Sequence, residues 1–335
     1  MLRRLATFDP DVVIAADLEM LPAAVTGRLF LGYGLIYDSH EDWPAMEAQT
    51  SPALGFATKL LERSLLPAVD AVVIAVPPRF HLDLTLQALA ADKHVLVEKP
   101  AYLRMEDYER VRTARDRAGR VVLVGENDHY KPLAVCLRRL LREGVIGEMV
   151  FAHFTTLVKR FKRADDWRND KTMAGGDAFF EEGIHWLHLA NSLGPVMTEA
   201  RGFQPAASRD GPDTRIKSMM VAFRYDNSAV GALFYSREVP SLLRGLRVSK
   251  LFGRAGIISF ESNGAVVLVR GPGVPRLVLP GFRDMRGYQA MYRDFLGAIH
   301  EGRAPEMSLE TAMADQRLMD QIYATAEPAT PAVTA

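Results

Sequence analysis

Four groups of residues combine reactive side chains with positions that would hold them still. The first is Glu98-Lys99-Pro100, which follows the apolar run Val95-Leu96-Val97. Upstream, Ala71–Val76 reads as a buried strand running into Pro77-Pro78. A helix with Leu82, Leu86 and Leu89 on one face follows. This is a β-α-β unit, and open α/β sheets bind ligands at the carboxyl ends of their strands. Lys99 stands at such an end, and Pro100 stiffens the turn by fixing φ and removing a donor. The ordinary alternative is a solvated lysine. The second group is Gly175-Gly176-Asp177-Ala178-Phe179-Phe180-Glu181-Glu182-Gly183-Ile184-His185-Trp186-Leu187-His188. On an α-helix, Glu181, His185 and His188 share one face at i, i+4 and i+7, and the glycine pair would let backbone approach a ligand. The third group is Gly125-Glu126-Asn127-Asp128-His129-Tyr130, polar residues crowded at another strand end, with an ordinary polar loop as the alternative. The fourth is Asp166-Trp167-Arg168-Asn169-Asp170. Its aromatic ring and guanidinium suit the C–H faces and hydroxyls of a polyol, although a solvated charged loop has the same composition.

The second group also raises metal binding. The strong zinc pattern sets two histidines at i and i+4 with a glutamate between them, and this segment lacks that order; no metal is expected. A purely structural histidine pair is the other alternative.

The elements that must position these groups fall into two patterns. Val12–Ala16, ending at Asp17, then Leu35–Tyr37, Ala71–Val76, Val95–Val97 and Val121–Gly125 are short apolar strands. They alternate with helical stretches, as at Glu106–Ala118, which predicts a parallel sheet covered on both faces. After a helix over Leu133–Arg142, longer and more closely spaced strands appear at Met149–Val158, Met219–Tyr225, Val230–Ser236, Leu246–Phe252 and Ala265–Arg270. Asp226-Asn227 reads as a hairpin turn between two of them. These predict a mostly antiparallel second domain, closed by helices at Tyr288–Glu301 and Leu309–Thr325. The expected division is a parallel α/β domain over residues 1–128 and an α/β domain with the larger, mostly antiparallel sheet over residues 129–335. The 335 residues also favour two cores, since single cores stop growing near about 250–300 residues.

Balanced charge, 41 basic against 41 acidic residues, gives no steering towards nucleic acid or an anionic membrane. No apolar run has the length of a membrane span, and Arg3 and Arg4 are not followed by a signal-peptide core. The single cysteine, Cys136, forbids an internal disulfide and fits a reducing cytoplasm.

Taken together, certain blocks resemble the Gfo/Idh/MocA oxidoreductases, the family of glucose–fructose oxidoreductase and inositol 2-dehydrogenase. They are Val69–Pro78 with His81, Lys93–Pro100, Gly125-Glu126-Asn127 with Pro132, Gly144 with Ile146-Gly147-Glu148, and Trp167-Arg168 with Gly175–His185. The resemblance runs from about Asp11 to Thr325. It implies an NAD(P)-dependent enzyme that transfers a hydride to or from a secondary alcohol of a sugar, cyclitol or similar polyol. By the same resemblance, Lys99 hydrogen-bonds the reacting hydroxyl and His185 is the acid/base. Glu181, His188, Trp167, Arg168, His129 and Tyr130 face the substrate. Asp17 takes the adenosine ribose, leaning towards NAD over NADP. Pro77, Pro78 and His81 border the cofactor, and Glu98 and Asn127 lie at its nicotinamide end. Glu181 replaces the usual aspartate, His188 stands where many members have another aspartate, and His129 where many have arginine. A homodimer or homotetramer through the open face of the second sheet is also implied.

The resemblance has one large departure. The first strand and the Gly-x-Gly-x-x-Gly turn of the dinucleotide fold precede none of these blocks, and Gly32 and Gly34 are not followed by a helix. In a sheet of order 3-2-1-4-5-6 the missing strand is central. Val12–Ala16 is then expected either to pair directly with Val72–Val76 or to leave a gap. Two explanations stay open: a natural start farther upstream, or a divergent ligand-binding or regulatory member that has lost dinucleotide binding.

Overall fold

The computed structural model describes residues 12–39, 51–159, 171–205, 217–240, 247–261, 264 and 266–326. Trp167 and Arg168 lie outside them, as does the segment before Val12. The chain divides into two compact units, Met1–Gly125 with Asp294–Leu309, and Glu126–Arg293 with Glu310–Ala335.

The first unit is built on five parallel strands: β1 (Val12–Ala16), β2 (Gly34–Ser39), β3 (Ala71–Ile74), β4 (His94–Glu98) and β5 (Val122–Gly125). They lie side by side in that order. Helices α1 (Asp17–Leu31), α2 (Pro52–Leu65), α3 (His81–Ala90) and α4 (Met105–Ala118) connect them. The continuous apolar runs suit burial on both faces, and Val95, Leu96 and Val97 have no exposed surface.

Neither expected arrangement of Val12–Ala16 occurs. β2 inserts between β1 and β3 and runs parallel to both, with Ile14 opposite Ile36 and Tyr37 opposite Val72. The physical reason is hydrogen-bond satisfaction: a buried strand edge left open costs about 1–3 kcal/mol for each unpaired group. Leu35, Ile36 and Tyr37 are apolar enough for a central strand, at 2 % exposure or less. Asp70 anchors the insertion. It accepts from the Leu35 amide at 2.8 Å and pairs with Arg28 at the end of α1.

Among the described residues, the second unit holds a sheet of eight strands in the order β13-β12-β11-β10-β6-β9-β8-β7. They are β6 (Met149–Leu157), β7 (Met197–Phe203), β8 (Ser218–Tyr225), β9 (Val230–Ser236), β10 (Val248–Gly253), β11 (Gly256–Glu261), β12 (Val267–Arg270) and β13 (Arg276–Val278). Only β6 and β9 pair in parallel. The turn at Asp226-Asn227 joins β8 to β9, with Ser228 at positive φ. Alternation sends Phe154, Leu233, Tyr235, Val221, Leu251 and Phe260 into the core. The opposite face exposes Phe151, Phe234, Leu268 and Leu277. Helices α5 (Pro132–Arg142), α6 (Lys171–Ala174), α7 (Ile184–Asn191), α8 (Tyr288–Glu301) and α9 (Leu309–Thr325) complete the described elements. Among the described residues, no helix is long and apolar enough to cross a membrane.

His81 ties the strand ends of the first unit together. Its buried ring sets Nε2 2.7 Å from the Val76 carbonyl and Nδ1 3.1 Å from the carbonyls of Pro100 and Ala101. The residue thus supports the Lys99 turn from the protein side. Replacing it (His81→Leu) strands buried carbonyls, and a loss of about 1–3 kcal/mol in urea-monitored stability is expected.

Candidate functional site

In the first unit the carboxyl ends of the parallel strands carry the expected groups. β1 passes directly into α1 at Asp17. β3 leads through Pro77 and the buried Pro78 into a short turn before α3. β4 ends at Glu98, with Glu98 and Lys99 half-buried and Pro100 buried. The Lys99 amide donates to Glu98 Oε2 at 3.3 Å, and Glu98 stands opposite Gly125 of β5. This edge offers a carboxylate and an ammonium at Glu98-Lys99, the chemistry a ribose and a nicotinamide carboxamide require. The donor set therefore fits the nicotinamide end of a dinucleotide. The β1–α1 junction, Ala15-Ala16-Asp17, has no glycine, and its acidic residue suits ribose hydroxyls rather than a phosphate.

In the second unit a single turn of 3-10 helix, Asn127–Tyr130, follows β5. Glu126 caps it by accepting from the Asp128 amide at 3.0 Å. The same carboxylate, 2 % exposed, sets its two oxygens 2.6 and 2.8 Å from His185 Nδ1. A carboxylate can only accept, so Nδ1 carries the hydrogen and a neutral His185 presents a lone pair at Nε2. The His185 side chain is 16 % exposed, within reach of a small molecule. Asn127 donates its amide to the Arg286 carbonyl at 2.7 Å. This fixes the amide with its oxygen as the remaining acceptor.

The predicted shared face of Glu181, His185 and His188 does not form. Phe179–Gly183 winds as a π-helical turn before α7 begins, and i→i+5 bonding turns Glu181 away from the α-helical register. The glycines give the physical reason. A Cβ on Gly183 would lie 2.3 Å from the Phe179 ring, and one on Gly176 would lie 2.7 Å from Phe180. The space these glycines leave is filled by aromatic rings, which widen the turn. Asp177 starts the segment, accepting at Oδ1 from the amides of Phe179 and Phe180 and from the Tyr323 hydroxyl.

The three residues consequently find three sets of partners. His185 pairs with Glu126. Glu181 and Glu182 both bind the Arg237 guanidinium, and Tyr235 donates to Glu182 at 3.0 Å. Burial opposes the Arg237 charge, but the polar groups facing it hold its pKa above its ordinary value. His188, 1 % exposed, contacts His129 and Asp315. Tyr130 is buried with its ring edge-on to His129. Sequence reasoning did not single out Arg237 or Asp315, which carry no local motif. It included Glu126 only as a member of a polar cluster.

Glu126, Asp128 and His185 offer ligand atoms within 4.8 Å of one another. Glu126 is already bonded to His185, and Asp128 pairs with Lys131 at 2.5 Å. The set reads as an acid–base arrangement, and no metal role is assigned to it.

Arg237→Met leaves two carboxylates, each about 13 % exposed, without their cation. Removing one partner of such a pair costs about 3–5 kcal/mol. The expected result is a lowered urea midpoint, measured by circular dichroism.

Residues 36–126 match the family model described as the oxidoreductase family with an NAD-binding Rossmann fold, and residues 135–258 match the Gfo/Idh/MocA C-terminal domain. An uncharacterised oxidoreductase of Synechocystis is 26 % identical over 82 % of this chain and 82 % of its own length. The NADP-dependent D-xylose 1-dehydrogenase of Haloarcula marismortui is 31 % identical over 38 % of this chain, which spans about a third (36 %) of that enzyme. The solved structure of an inositol dehydrogenase homologue from Azotobacter vinelandii, complexed with NAD+, superposes with a TM-score of 0.73 at 16 % identity, over 95 % of each chain. The two parallel and antiparallel sheets, the strand-end Glu98-Lys99 and the two matched domains lead to one conclusion: this chain belongs to the Gfo/Idh/MocA family of oxidoreductases.

Proposed function

We propose that this protein transfers a hydride between a nicotinamide and a secondary alcohol, or the matching ketone, of a sugar, cyclitol or related polyol. The observation that carries the reading is the His185–Glu126 pair. One nitrogen is locked as a donor to a buried carboxylate, so the other is the base. His185 Nε2 takes the hydroxyl proton, and the Glu126 carboxylate stabilises the imidazolium that forms. The ammonium of Lys99 stabilises negative charge developing on the alcohol oxygen. Asp17, Pro77, Pro78, Glu98 and Asn127 would hold the dinucleotide, which supplies the hydride acceptor when bound. Glu181 with its Arg237 cation, together with His129 and Tyr130, would shape the substrate side. Trp167 and Arg168 would add a polyol-binding ring and guanidinium.

The name of one relative supports the substrate class: it is a D-xylose dehydrogenase using NADP. Asp17 leans towards NAD, because a carboxylate repels a 2′-phosphate. The exposed row Phe151, Phe234, Leu268 and Leu277 fits burial against a second copy, as a homodimer or homotetramer. The lone buried Cys136 suits a reducing cytoplasm.

A second reading, a ligand-binding or regulatory protein on this fold without dinucleotide affinity, rests on the described strand–helix junctions, none of which carries a Gly-x-Gly-x-x-Gly turn. Titration with NADH and NADPH, followed by nicotinamide fluorescence, separates the two. Binding supports the oxidoreductase, and its absence in the purified chain supports the regulator.

Lys99→Ala and His185→Ala are expected to lower kcat on a polyol panel by about 10²–10⁴-fold, with NADH affinity largely intact. Glu126→Gln is expected to lower kcat by about 10²-fold or more, since an amide can hold the wrong tautomer of His185. Steady-state assays with both nicotinamides check each value. Wild-type turnover in the lysine or histidine variant would refute the assignment.

A further inference from the structure

The second unit contains a cavity of about 290 Å³ whose lining includes Arg138 and Arg142 and no aspartate or glutamate. Helical spacing brings the two arginines there. Leu133, Cys136, Leu137 and Leu140 bury one stripe of α5, and Arg138 and Arg142, four residues apart, share a face beside it. Leu141 of the same helix adds an apolar patch. Ser192 and the buried Leu193 follow the end of α7, and Asn227 comes from the turn between β8 and β9. Arg142 and Asn227 are exposed, so the cavity opens to solvent at these two residues. None of its lining residues belongs to the groups assigned to hydride transfer.

We propose that this cavity is a binding site for a small phosphate monoester, with Arg142 and Asn227 donating to the phosphate and Arg138 supplying a second positive charge. The inference is independent of the oxidoreductase reading.

The donors are in place before any ligand arrives. Arg138 donates from Nη2 to the His129 carbonyl at 2.7 Å, which holds its half-buried guanidinium still. Arg142 has no hydrogen bond or ion pair among the described residues, so its fork of donors is available. Asn227 Oδ1 accepts from the Ala229 amide at 3.0 Å, which leaves the two Nδ2 hydrogens to donate. Ser192 Oγ donates to the Leu189 carbonyl at 3.2 Å, so its oxygen is left to accept from a ligand hydroxyl. Leu141 and Leu193 provide an apolar wall for a short carbon body.

Charge and size select the class. Like charges one helical turn apart repel. A phosphate monoester carries about −1.5 to −2 at pH 7 and balances both guanidinia, whereas a carboxylate balances one. Arginine forks also match phosphate oxygens in geometry. Small-molecule pockets span about 300–1,000 Å³, so this cavity suits an ester of a few carbons and is too small for a dinucleotide. The plain alternative is a solvated groove in which Arg142, in the last turn of α5, only complements the helix dipole. The two differ in whether an anion binds saturably.

The test is calorimetric titration of the full chain with glycerol 3-phosphate, inorganic phosphate and glycerate in turn. The expected result is saturable binding of one glycerol 3-phosphate per chain, with glycerate weaker by about ten-fold or more. Arg142→Ala removes an exposed side chain and is expected to fold as the parent does, checked by circular dichroism. It should weaken the ester by about ten-fold or more, the loss of a charge-assisted bond. A second measurement needs no variant: in 15N-labelled wild type, the Asn227 side-chain amide signals should shift along the same titration curve. Equal affinity for inorganic phosphate overturns the ester and leaves the free ion as occupant. Glycerate binding as tightly as the ester, no saturable binding, or unchanged affinity in R142A overturns the site. Asn227 signals that stay in place through saturation overturn it too, and they decide the matter should R142A fail to fold.

Discussion

Carboxylates taken out of water organise the second unit. A buried negative charge costs several kcal/mol unless a cation or donors surround it. Glu126, Glu181, Glu182, Asp177 and Asp315 each meet that demand with different partners. Asp177 spends its oxygen on the opening amides of the π turn and on Tyr323. Glu181 and Glu182 share Arg237, and Tyr323 and Tyr235 are held protonated by burial beside these acids. Glu126 and Asp315 take the two histidines. Because Glu126 and Asp315 stand in the turn after β5 and in α9, while their histidine partners lie in α7, the same bonds that neutralise these acids also fix where His185 and His188 point.

The first unit answers a different demand, the pairing of strand edges. β2 occupies the position that a central strand would hold, so β1 remains two strand spacings, about 10 Å, from β3. That is the separation the sheet order 3-2-1-4-5-6 would give the same two strands. Asp17 thus keeps its station along the sheet edge although its neighbour has changed.

The legible parts of this protein were those encoded within a few residues. Alternating strands and helices, the strand-end Lys99, the hairpin at Asp226-Asn227 and the two closing helices all carry local signals. His185 was singled out through its place in the Gly175–His188 segment. Its partner Glu126 is remote in sequence, and nothing local distinguishes a carboxylate aimed at a histidine from one in a solvated loop. Arg237 and Asp315 are hidden for the same reason. The π turn escaped because counting i, i+4 and i+7 assumes 3.6 residues per turn, and only ring packing against Gly183 and Gly176 shows otherwise. The central placing of β2 escaped because a parallel strand has no marker of its neighbours beyond its hydrophobicity.

The return of residues 294–309 to the first unit bears on how the protein is made. β5 is the last strand of that unit's sheet, and Met307 and Ser308 lie against its outer edge: the Val124 amide donates to the Met307 carbonyl at 3.0 Å, and Leu123 bridges Ser308. Synthesis proceeds from the N-terminus, so all of Glu126–Arg293 leaves the ribosome before that cover exists. An uncovered apolar edge is a template for pairing with other chains. The domain begun first is thus finished almost last, and the nascent chain is most exposed to misassembly while the second sheet is still being translated.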